Sequence, residues 1–281
     1  MRIGAHVSIA GSLDSAIGRA VKIGAECIQI HGSAPQRWQF LVFPEGQIEE
    51  FKRKAREHNI SPIFVHSIYL INLASGNPHI LNSSITSIAQ YFKFSREIGA
   101  EGVVFHLGSH KGRGWKAVRE QVFRAVAEIL KLTEGSRGYL IPENSAGAGG
   151  AIGARFSELG EIIKAVRDPR LRVCFDTAHA FESGYNIATK EGLDEALAEF
   201  NSKIGLGRLV LIHANDSKTP LGSNIDRHEN IGQGYIGIDG FRFITHHSSL
   251  CHLPLIVEAP GFGGRRADGK NIGILRRLSR E

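Results

Sequence analysis

Cysteine is scarce in this sequence of 281 residues, which contains three: Cys27, Cys174 and Cys251. Thiols so few and so widely separated exclude the disulfide framework that stabilises many small secreted proteins. Each lies in or beside an apolar run, where a lone cysteine usually behaves as a small buried hydrophobic residue. We therefore expect buried, reduced thiols and a cytoplasmic setting.

Long apolar runs are missing as well. No stretch of about 18 uninterrupted apolar residues is present, so we expect no transmembrane helix and no membrane partner. The first residues enter a strand-like run without the basic, apolar and small-residue segments of a signal peptide, and we expect none. Because no Pro/Ser-rich linker or change in composition divides the chain, we predict one catalytic domain over residues 1–281.

The charge balance is basic, with 34 Lys and Arg against 28 Asp and Glu and a formal net charge of +6. A basic surface attracts polyanions, and nucleic acids are the first candidates. Many basic proteins bind no nucleic acid, so the net charge favours this class of partner without establishing it.

Short apolar runs alternate with longer segments of helical periodicity along the whole chain. The runs are rich in Val, Ile, Leu and Phe, as expected of strands buried on both faces. They predict eight strands, at residues 2–7, 25–30, 62–66, 102–106, 138–143, 171–176, 208–213 and 254–258. The amphipathic segments predict helices at residues 47–58, 80–98, 118–132, 156–166 and 193–203, with shorter ones at 14–23, 241–247 and 272–280. Eight such units indicate an α/β fold of the (β/α)8 (TIM) barrel type, with an open doubly wound sheet as the alternative.

Six successive strands end on a residue type that binds metals. These residues are His66, His106, Glu143, Asp176, His213 and Glu258, and the first strand ends near His6. In a closed barrel the C-terminal strand ends meet at one mouth, whereas an open sheet would spread them along a line. One such residue alone is usually structural, but gathering six polar groups costs several kcal/mol unless something such as a divalent cation satisfies them. The pattern therefore predicts a metal centre in a barrel.

Two local motifs add candidate ligands. Asp176 and His179 lie across one turn at a strand end, and Asp226 and His228 have the i, i+2 spacing that places two side chains on one side of an extended segment. Together with the six strand ends they give five histidines and four carboxylates. Imidazole with carboxylate suits Zn²⁺, and also Mn²⁺ or Fe²⁺.

At these residues the chain resembles the endonuclease IV family, the apurinic/apyrimidinic (AP) endonucleases of the xylose-isomerase-like barrel superfamily. The resemblance covers nearly the whole chain. Its most specific segments are YLINLA (69–74), FHLGS (105–109), ENSAG (143–147), CFDTAHAF (174–181), HANDSK (213–218) and DRHENIG (226–232). The chain departs from the family's usual residues at Leu107, Ala148 and Ala178, none of which is a candidate ligand.

The resemblance implies a trinuclear zinc centre, with Mn²⁺ as a possible replacement at some sites. The implied ligands are His66, His106 and Glu143 for the first ion; Glu143, Asp176, His213 and Glu258 for the second; and His179, Asp226 and His228 for the third. It also implies hydrolysis of the DNA phosphodiester 5′ to an abasic site during base excision repair, leaving a 3′-hydroxyl and a 5′-deoxyribose phosphate. Glu143 and Glu258 would be the catalytic carboxylates.

The implied partner is double-stranded DNA with abasic sites or blocked 3′ ends, and no obligate protein partner is expected. Tyr69 and Leu70 form an aromatic–aliphatic pair that can wedge into the base stack beside a lesion, although packing within their loop is an equal alternative. Arg37 is the candidate for entry into the minor groove, and its neighbours in the loop after the second strand depart from the family. His6 is a candidate phosphate contact, with a solvated surface position or a capping role as an equal alternative.

The main alternative is a metal-dependent sugar isomerase or epimerase on the same barrel. That chemistry needs one or two metals and an acid/base pair around a polyol. The residues that discriminate against it are His66, His106 and the Asp226/His228 pair, which supply more ligands than one metal site can use. A non-catalytic DNA-binding barrel is a second alternative, but it would be expected to lose ligands, and all nine are present.

Overall fold

The computed structural model describes residues 1–264 and 268–281. In this part of the chain the strands are β1 (Ile3–His6), β2 (Ile28–His31), β3 (Ile63–His66), β4 (Gly102–Phe105), β5 (Tyr139–Pro142), β6 (Val173–Asp176), β7 (Leu209–His213), β8 (Asp216–Ser217), β9 (His228–Glu229) and β10 (Leu255–Val257). All eight predicted strands are confirmed, with ends that shift by a few residues. The short strands β8 and β9 form a separate antiparallel hairpin, which the sequence did not predict.

The eight long strands are parallel and form a nearly closed barrel. Their order is β5-β4-β3-β2-β1-β10-β7-β6, so the first and last strands of the chain are neighbours. The ends of this order, β5 and β6, are joined by two isolated bridges, Leu140 to Leu171 and Glu143 to Cys174. This arrangement confirms the TIM barrel and excludes the open doubly wound sheet.

Helices alternate with the strands. They are α1 (Ser15–Ile23), α2 (Glu45–Glu57), α3 (Pro78–Glu97), α4 (Trp115–Leu132), α5 (Phe156–Val166), α6 (Thr177–Glu182), α7 (Lys190–Lys203), α8 (Gly237–His246) and α9 (Gly269–Leu278). The eight predicted helices are confirmed. The helix that was not predicted, α6, has six residues and is too short to show a helical period. Within residues 1–264 and 268–281, no helix has the length and apolar character that crossing a bilayer requires.

Two apolar clusters make up the core. The larger one fills the space between the strands and the helices around them. The smaller one comes from the barrel strands and from Cys27, which immediately precedes β2. Its buried members are Cys27, Phe64, Val104, Ile141, Cys174, Leu211 and Ile256. We call this smaller cluster the apolar layer of the barrel interior. Gly4 continues it on β1, where a Cβ atom would lie 1.7 Å from the carbonyl oxygen of Cys27, so only glycine fits.

The expectation of three buried thiols is confirmed for Cys27 and Cys174 and is wrong for Cys251, which is exposed. Cys251 lies in the turn between α8 and β10. The neighbouring Leu250 and Leu253 occupy the buried positions of that turn, so the Cys251 side chain faces outward and its thiol donates to the carbonyl oxygen of Ser248.

Candidate metal centre

A layer of polar side chains lies directly above the apolar layer, at the C-terminal ends of the strands. Side chains at positions i and i+2 of a strand face the same side, so each apolar-layer residue is followed two residues later by a second inward residue. We call these second residues the polar layer: His6, Gln29, His66, His106, Glu143, Asp176, His213 and Glu258. Six of them are the predicted strand-end ligands. The barrel geometry therefore brings the six together at one mouth.

Glu143 lies at the centre of the polar layer and is 1% exposed. Its Oε2 atom lies 3.3 Å from His66 Nε2 and 3.8 Å from His106 Nε2. Its Oε1 atom lies 3.0 Å from His213 Nδ1 and 3.3 Å from His179 Nδ1. One carboxylate thus contacts imidazoles from four different elements, which suits a ligand that bridges two cations.

Two groups of ligand atoms share Glu143. In the first, ligand atoms of His66, His106 and Glu143 lie within 4.8 Å of one another. In the second group, ligand atoms of Glu143, Asp176, His213 and Glu258 also lie within 4.8 Å of one another. His213 Nδ1 lies 3.4 Å from Glu258 Oε2 and 3.9 Å from Asp176 Oδ2, so three carboxylates surround one imidazole nitrogen.

A third group forms at the edge of the mouth, where Asp176 and α6 meet the loop after β7. Ligand atoms of Asp176, His179 and His228 lie within 4.8 Å of one another. Asp226 lies at the edge of this group, with its carboxylate 3.5 Å from His179 Nε2 and 3.7 Å from His228 Nε2. Its side chain is 54% exposed, so the third group opens to solvent.

The loop that carries Asp226 and His228 is held by a buried acid on α6. The Oε1 atom of Glu182 accepts hydrogen bonds from Ser217 Oγ at 2.8 Å and from the backbone N–H of Arg227 at 3.1 Å. Ser217 also pairs with His228 in the β8–β9 hairpin. These contacts explain how residues distant from any barrel strand reach the mouth.

The electrostatics of the polar layer favour a bound cation. Burial alone would raise the pKa of Glu143, but His213 and His106 outweigh it and hold that pKa well below its usual range. Burial would lower the pKa of His213, yet its neighbours Cys174, Glu258 and Glu143 hold that pKa well above its usual value. The clustered carboxylates thus attract positive charge. Together with the converging ligand atoms, this shows that the residues present fit divalent metal ions.

Cys174 also lies close to Glu143 and His213, within the same 4.8 Å limit. A thiol binds a metal as the thiolate. Burial raises the pKa of Cys174 to about 12, which disfavours the thiolate, and the side chain packs within the apolar layer. Cys174 therefore acts as a member of the apolar layer, and the nine predicted positions remain the candidate ligands.

The four predicted DNA contacts lie in two different environments. His6 lies inside the mouth, where its Nδ1 atom is 3.1 Å from Glu258 Oε1. Arg37, Tyr69 and Leu70 are exposed on the loops after β2 and β3. These two loops are joined, because the backbone N–H of Tyr69 donates to the carbonyl oxygen of Pro35 at 3.0 Å.

The mouth encloses a cavity of about 360 Å³. His31 lines this cavity and was not predicted. Its Nδ1 atom donates to the carbonyl oxygen of His66 at 3.1 Å, and its ring lies 4.3 Å from the ring of His6. The signal was present in the sequence, because His31 also ends an apolar strand. The predicted strand stopped one residue too early to include it.

Gln29, Asn144 and Asn215 are further polar residues at the mouth that the sequence analysis missed. Gln29 and Asn215 donate to Glu258 and Asp176, respectively, through their side-chain amides. Asn144 exchanges two hydrogen bonds with the backbone of Asp176. Amide side chains are not among the usual ligands of zinc, so their residue type alone does not indicate a metal centre. The register of Gln29, two residues after Cys27, would have placed it in the polar layer.

Similarity to known proteins extends over the whole chain. The profile of the family described as "Xylose isomerase-like TIM barrel" matches residues 17–278. The "Probable endonuclease 4" of Halothermothrix orenii is 40% identical over 279 residues, which cover 99% of this chain and 100% of the relative. The crystal structure of endonuclease IV from Thermus thermophilus matches with a TM-score of 0.87 and 31% identity over 99% of this chain and 98% of its own. A D-tagatose 3-epimerase-like protein matches with a TM-score of 0.75 at 21% identity over 99% and 97% of the two chains, which shows a shared fold alone.

Proposed function

Because this chain belongs to the endonuclease IV family of xylose isomerase-like barrels, a family of nucleases, we propose that it hydrolyses DNA 5′ to abasic sites. The observation that carries the proposal is the convergence of the candidate ligands at the barrel mouth in three adjacent groups, two of which share Glu143. Exposed loops beside the mouth bear Arg37, Tyr69 and Leu70. A phosphodiester needs both elements: positive charge for its oxygens and a surface that holds the duplex.

The proposed cofactor is zinc, with three ions per chain. His66, His106 and Glu143 would hold the first, and Glu143 with Asp176, His213 and Glu258 the second. The third would take His179, Asp226 and His228, and Asp176 lies close enough to contribute. Zinc supplies Lewis acidity toward phosphate oxygens and lowers the pKa of coordinated water to about 7. Three divalent ions would outweigh the four carboxylates by two charges, which suits an anionic transition state.

The chain's own carboxylates would organise the reaction. Glu143 would help to hold the first two ions, because its Oε2 atom faces His66 and its Oε1 atom faces His213. Glu258 would orient the attacking water, because Gln29 and His6 hold its Oε1 atom at 2.6 and 3.1 Å and leave Oε2 facing the centre. In-line attack on phosphorus would break the bond to the 3′-oxygen. The products would be a 3′-hydroxyl and a 5′-deoxyribose phosphate.

Recognition would rest on the loops at the mouth. Tyr69 and Leu70 would fill the gap left in the base stack when the abasic nucleotide turns into the mouth, since a nucleotide without a base costs little to unstack. Arg37 would lie in the minor groove. His6 lines the cavity, so it would contact the phosphate of a nucleotide that has entered the mouth. Duplexes with blocked 3′ ends would fit the same mouth. One domain would perform all these steps without a protein partner.

The test uses a labelled duplex with one abasic-site analogue, an intact duplex of the same sequence, and protein before and after prolonged chelation. We expect a single nick 5′ to the lesion, which disappears on chelation and returns with zinc. Elemental analysis should give about three metal ions per chain. If metal-loaded protein cuts neither duplex and binds one or two ions, the proposal is wrong, and ketose and aldose substrates should be tested for isomerisation.

A further inference from the structure

Gln29 is a fully buried member of the polar layer that the proposed ligand sets do not include. Its amide oxygen lies 2.9 Å from His213 Nε2, and its amide nitrogen lies 2.6 Å from Glu258 Oε1. His213 is on β7, Glu258 follows β10, and Gln29 is on β2 across the barrel interior. The two ends of one amide therefore touch two proposed ligands of the same ion.

Glu258 determines which way the amide faces. An ionised carboxylate only accepts hydrogen bonds, so Gln29 must present its NH2 group to Glu258 and its carbonyl oxygen to His213. The Nε2 atom of His213 must then donate, which means that it carries a hydrogen. The other ring nitrogen, Nδ1, keeps its lone pair for a cation. That atom is the one that faces Glu143 Oε1 at 3.0 Å and Glu258 Oε2 at 3.4 Å.

We propose that Gln29 is a positioning residue, which fixes the tautomer of His213 and the orientation of Glu258 for the second ion. The inference rests on the metal centre of the proposed function. A metal-binding imidazole usually donates its other N–H to an acceptor, and removal of such an acceptor typically weakens metal binding by roughly 10- to 100-fold. Gln29 supplies this acceptor and, through the same group of atoms, a donor for a second ligand.

The test measures zinc affinity in Gln29→Met, which keeps the length of the side chain but removes its strong donor and acceptor. Affinity is obtained by competition with a chromophoric chelator in metal-buffered solution. The visible absorption of the Co²⁺-substituted protein reports ligand geometry separately. We expect one ion to bind roughly 10- to 100-fold more weakly and the cobalt spectrum to change, with an unchanged far-UV circular dichroism spectrum.

Gln121→Met is the matched control, because it makes the same substitution outside the polar layer. Gln121 donates to the backbone carbonyl oxygens of Leu73 and Ser75 at 2.9 Å each. This variant should lose thermal stability but keep wild-type zinc affinity and the wild-type cobalt spectrum. If Gln29→Met does not fold, Gln29→Leu replaces it. That variant also offers neither an acceptor to His213 nor a donor to Glu258, and it should bind zinc more weakly.

The possible results separate this inference from the proposed function. Wild-type affinity and an unchanged cobalt spectrum in a folded Gln29 variant would overturn the positioning role and leave the metal centre standing. A wild-type protein that binds no zinc would overturn the metal centre itself. An equal loss of affinity in the Gln121 control would overturn the positioning role as well, because the effect would then be general destabilisation.

Discussion

Asp176 Oδ1 accepts a hydrogen bond from the backbone N–H of His179 at 2.8 Å, which makes Asp176 the N-cap of α6. The other oxygen, Oδ2, lies 3.8 Å from His228 Nε2 and accepts from Asn215 Nδ2 at 2.7 Å. One side chain therefore starts the helix that carries His179 and also faces the metal centre. Local structure and proposed chemistry depend on the same carboxylate.

This double role predicts different outcomes for two substitutions of Asp176. Asp176→Asn keeps an N-cap oxygen, whereas Asp176→Ala loses it, and both lose the bond from Asn215. In metal-free protein, urea unfolding should show that Asp176→Ala is less stable than Asp176→Asn by about 1 kcal/mol. Both should retain less zinc than wild type by elemental analysis. Full zinc content in Asp176→Asn would show that the residue is only a cap.

Glu258→Gln should abolish turnover without unfolding the protein. The backbone N–H of Glu258 donates to Asn215 Oδ1 at 2.8 Å, and this contact does not depend on the side chain. Loss of the carboxylate should lower cleavage of the abasic duplex by at least about 100-fold, the low end for a positioned acid or base. Glu161→Gln on the outer helix α5 is the control and should cleave normally. Near-normal cleavage by Glu258→Gln would remove Glu258 from the mechanism.

Leu70→Ala should weaken recognition of the lesion and leave the metal content unchanged. Leu70 is exposed beside the cavity, and if it enters the base stack its truncation should lower kcat/KM for the abasic duplex about 10-fold, as expected for losing a buried leucine. Leu132→Ala is the control, because Leu132 is also exposed but ends α4. Steady-state cleavage at several DNA concentrations measures the effect. Equal values for the two variants would place Leu70 outside the interface.

Glu182 should make stability depend on pH. Burial raises its pKa to about 7 from an ordinary value of 4.5. Between these values the folded protein keeps a proton that the unfolded chain has released, so this residue makes the free energy of unfolding fall as pH rises. Glu182→Gln has no such proton. Relative to wild type, it should therefore gain stability between about pH 4.5 and pH 7 and keep that gain above pH 7.

Urea unfolding of metal-loaded wild type and Glu182→Gln at pH 5 and pH 8 tests this expectation. The stability difference between the two proteins should be larger at pH 8. Ser217 and Arg227 still find an acceptor in the glutamine, so the loop that bears Asp226 should stay in place and zinc content should not change. A difference that is the same at both pH values would mean that Glu182 titrates normally.

The barrel and six of its strand-end residues were predictable from sequence because a parallel barrel repeats one rule. Every strand ends at the same mouth, so a residue such as His66 or Glu258 needs only its position in the strand to be placed. The prediction was weakest at the strand ends themselves. A shift of one residue in a predicted strand end decides whether a side chain is placed at the mouth. His31 was missed because the predicted strand ended at residue 30.

The third group of ligands could not be placed by spacing. His179 is brought into the mouth by α6. His228 is brought there by the β8–β9 hairpin, whose strands have two residues each and whose loop donates a backbone hydrogen bond to Glu182. Neither element is long enough to show a period in the sequence. Gln29 was missed for a chemical reason instead, since an amide shows its role only when both of its hydrogen-bond partners are known.

The two isolated bridges between β5 and β6 form a seam in the wall of the barrel, and Glu143 and Asp176 lie at its upper end, one on each side. The side-chain amide of Asn144 crosses this seam to the backbone of Asp176. A cation held by both carboxylates would link β5 to β6, where two isolated bridges join the strands. Because a ligand that binds only the folded chain stabilises it, a cation at this position would add to the few backbone bonds that join β5 to β6. The proposed metal centre would thus contribute to closing the barrel as well as to its chemistry.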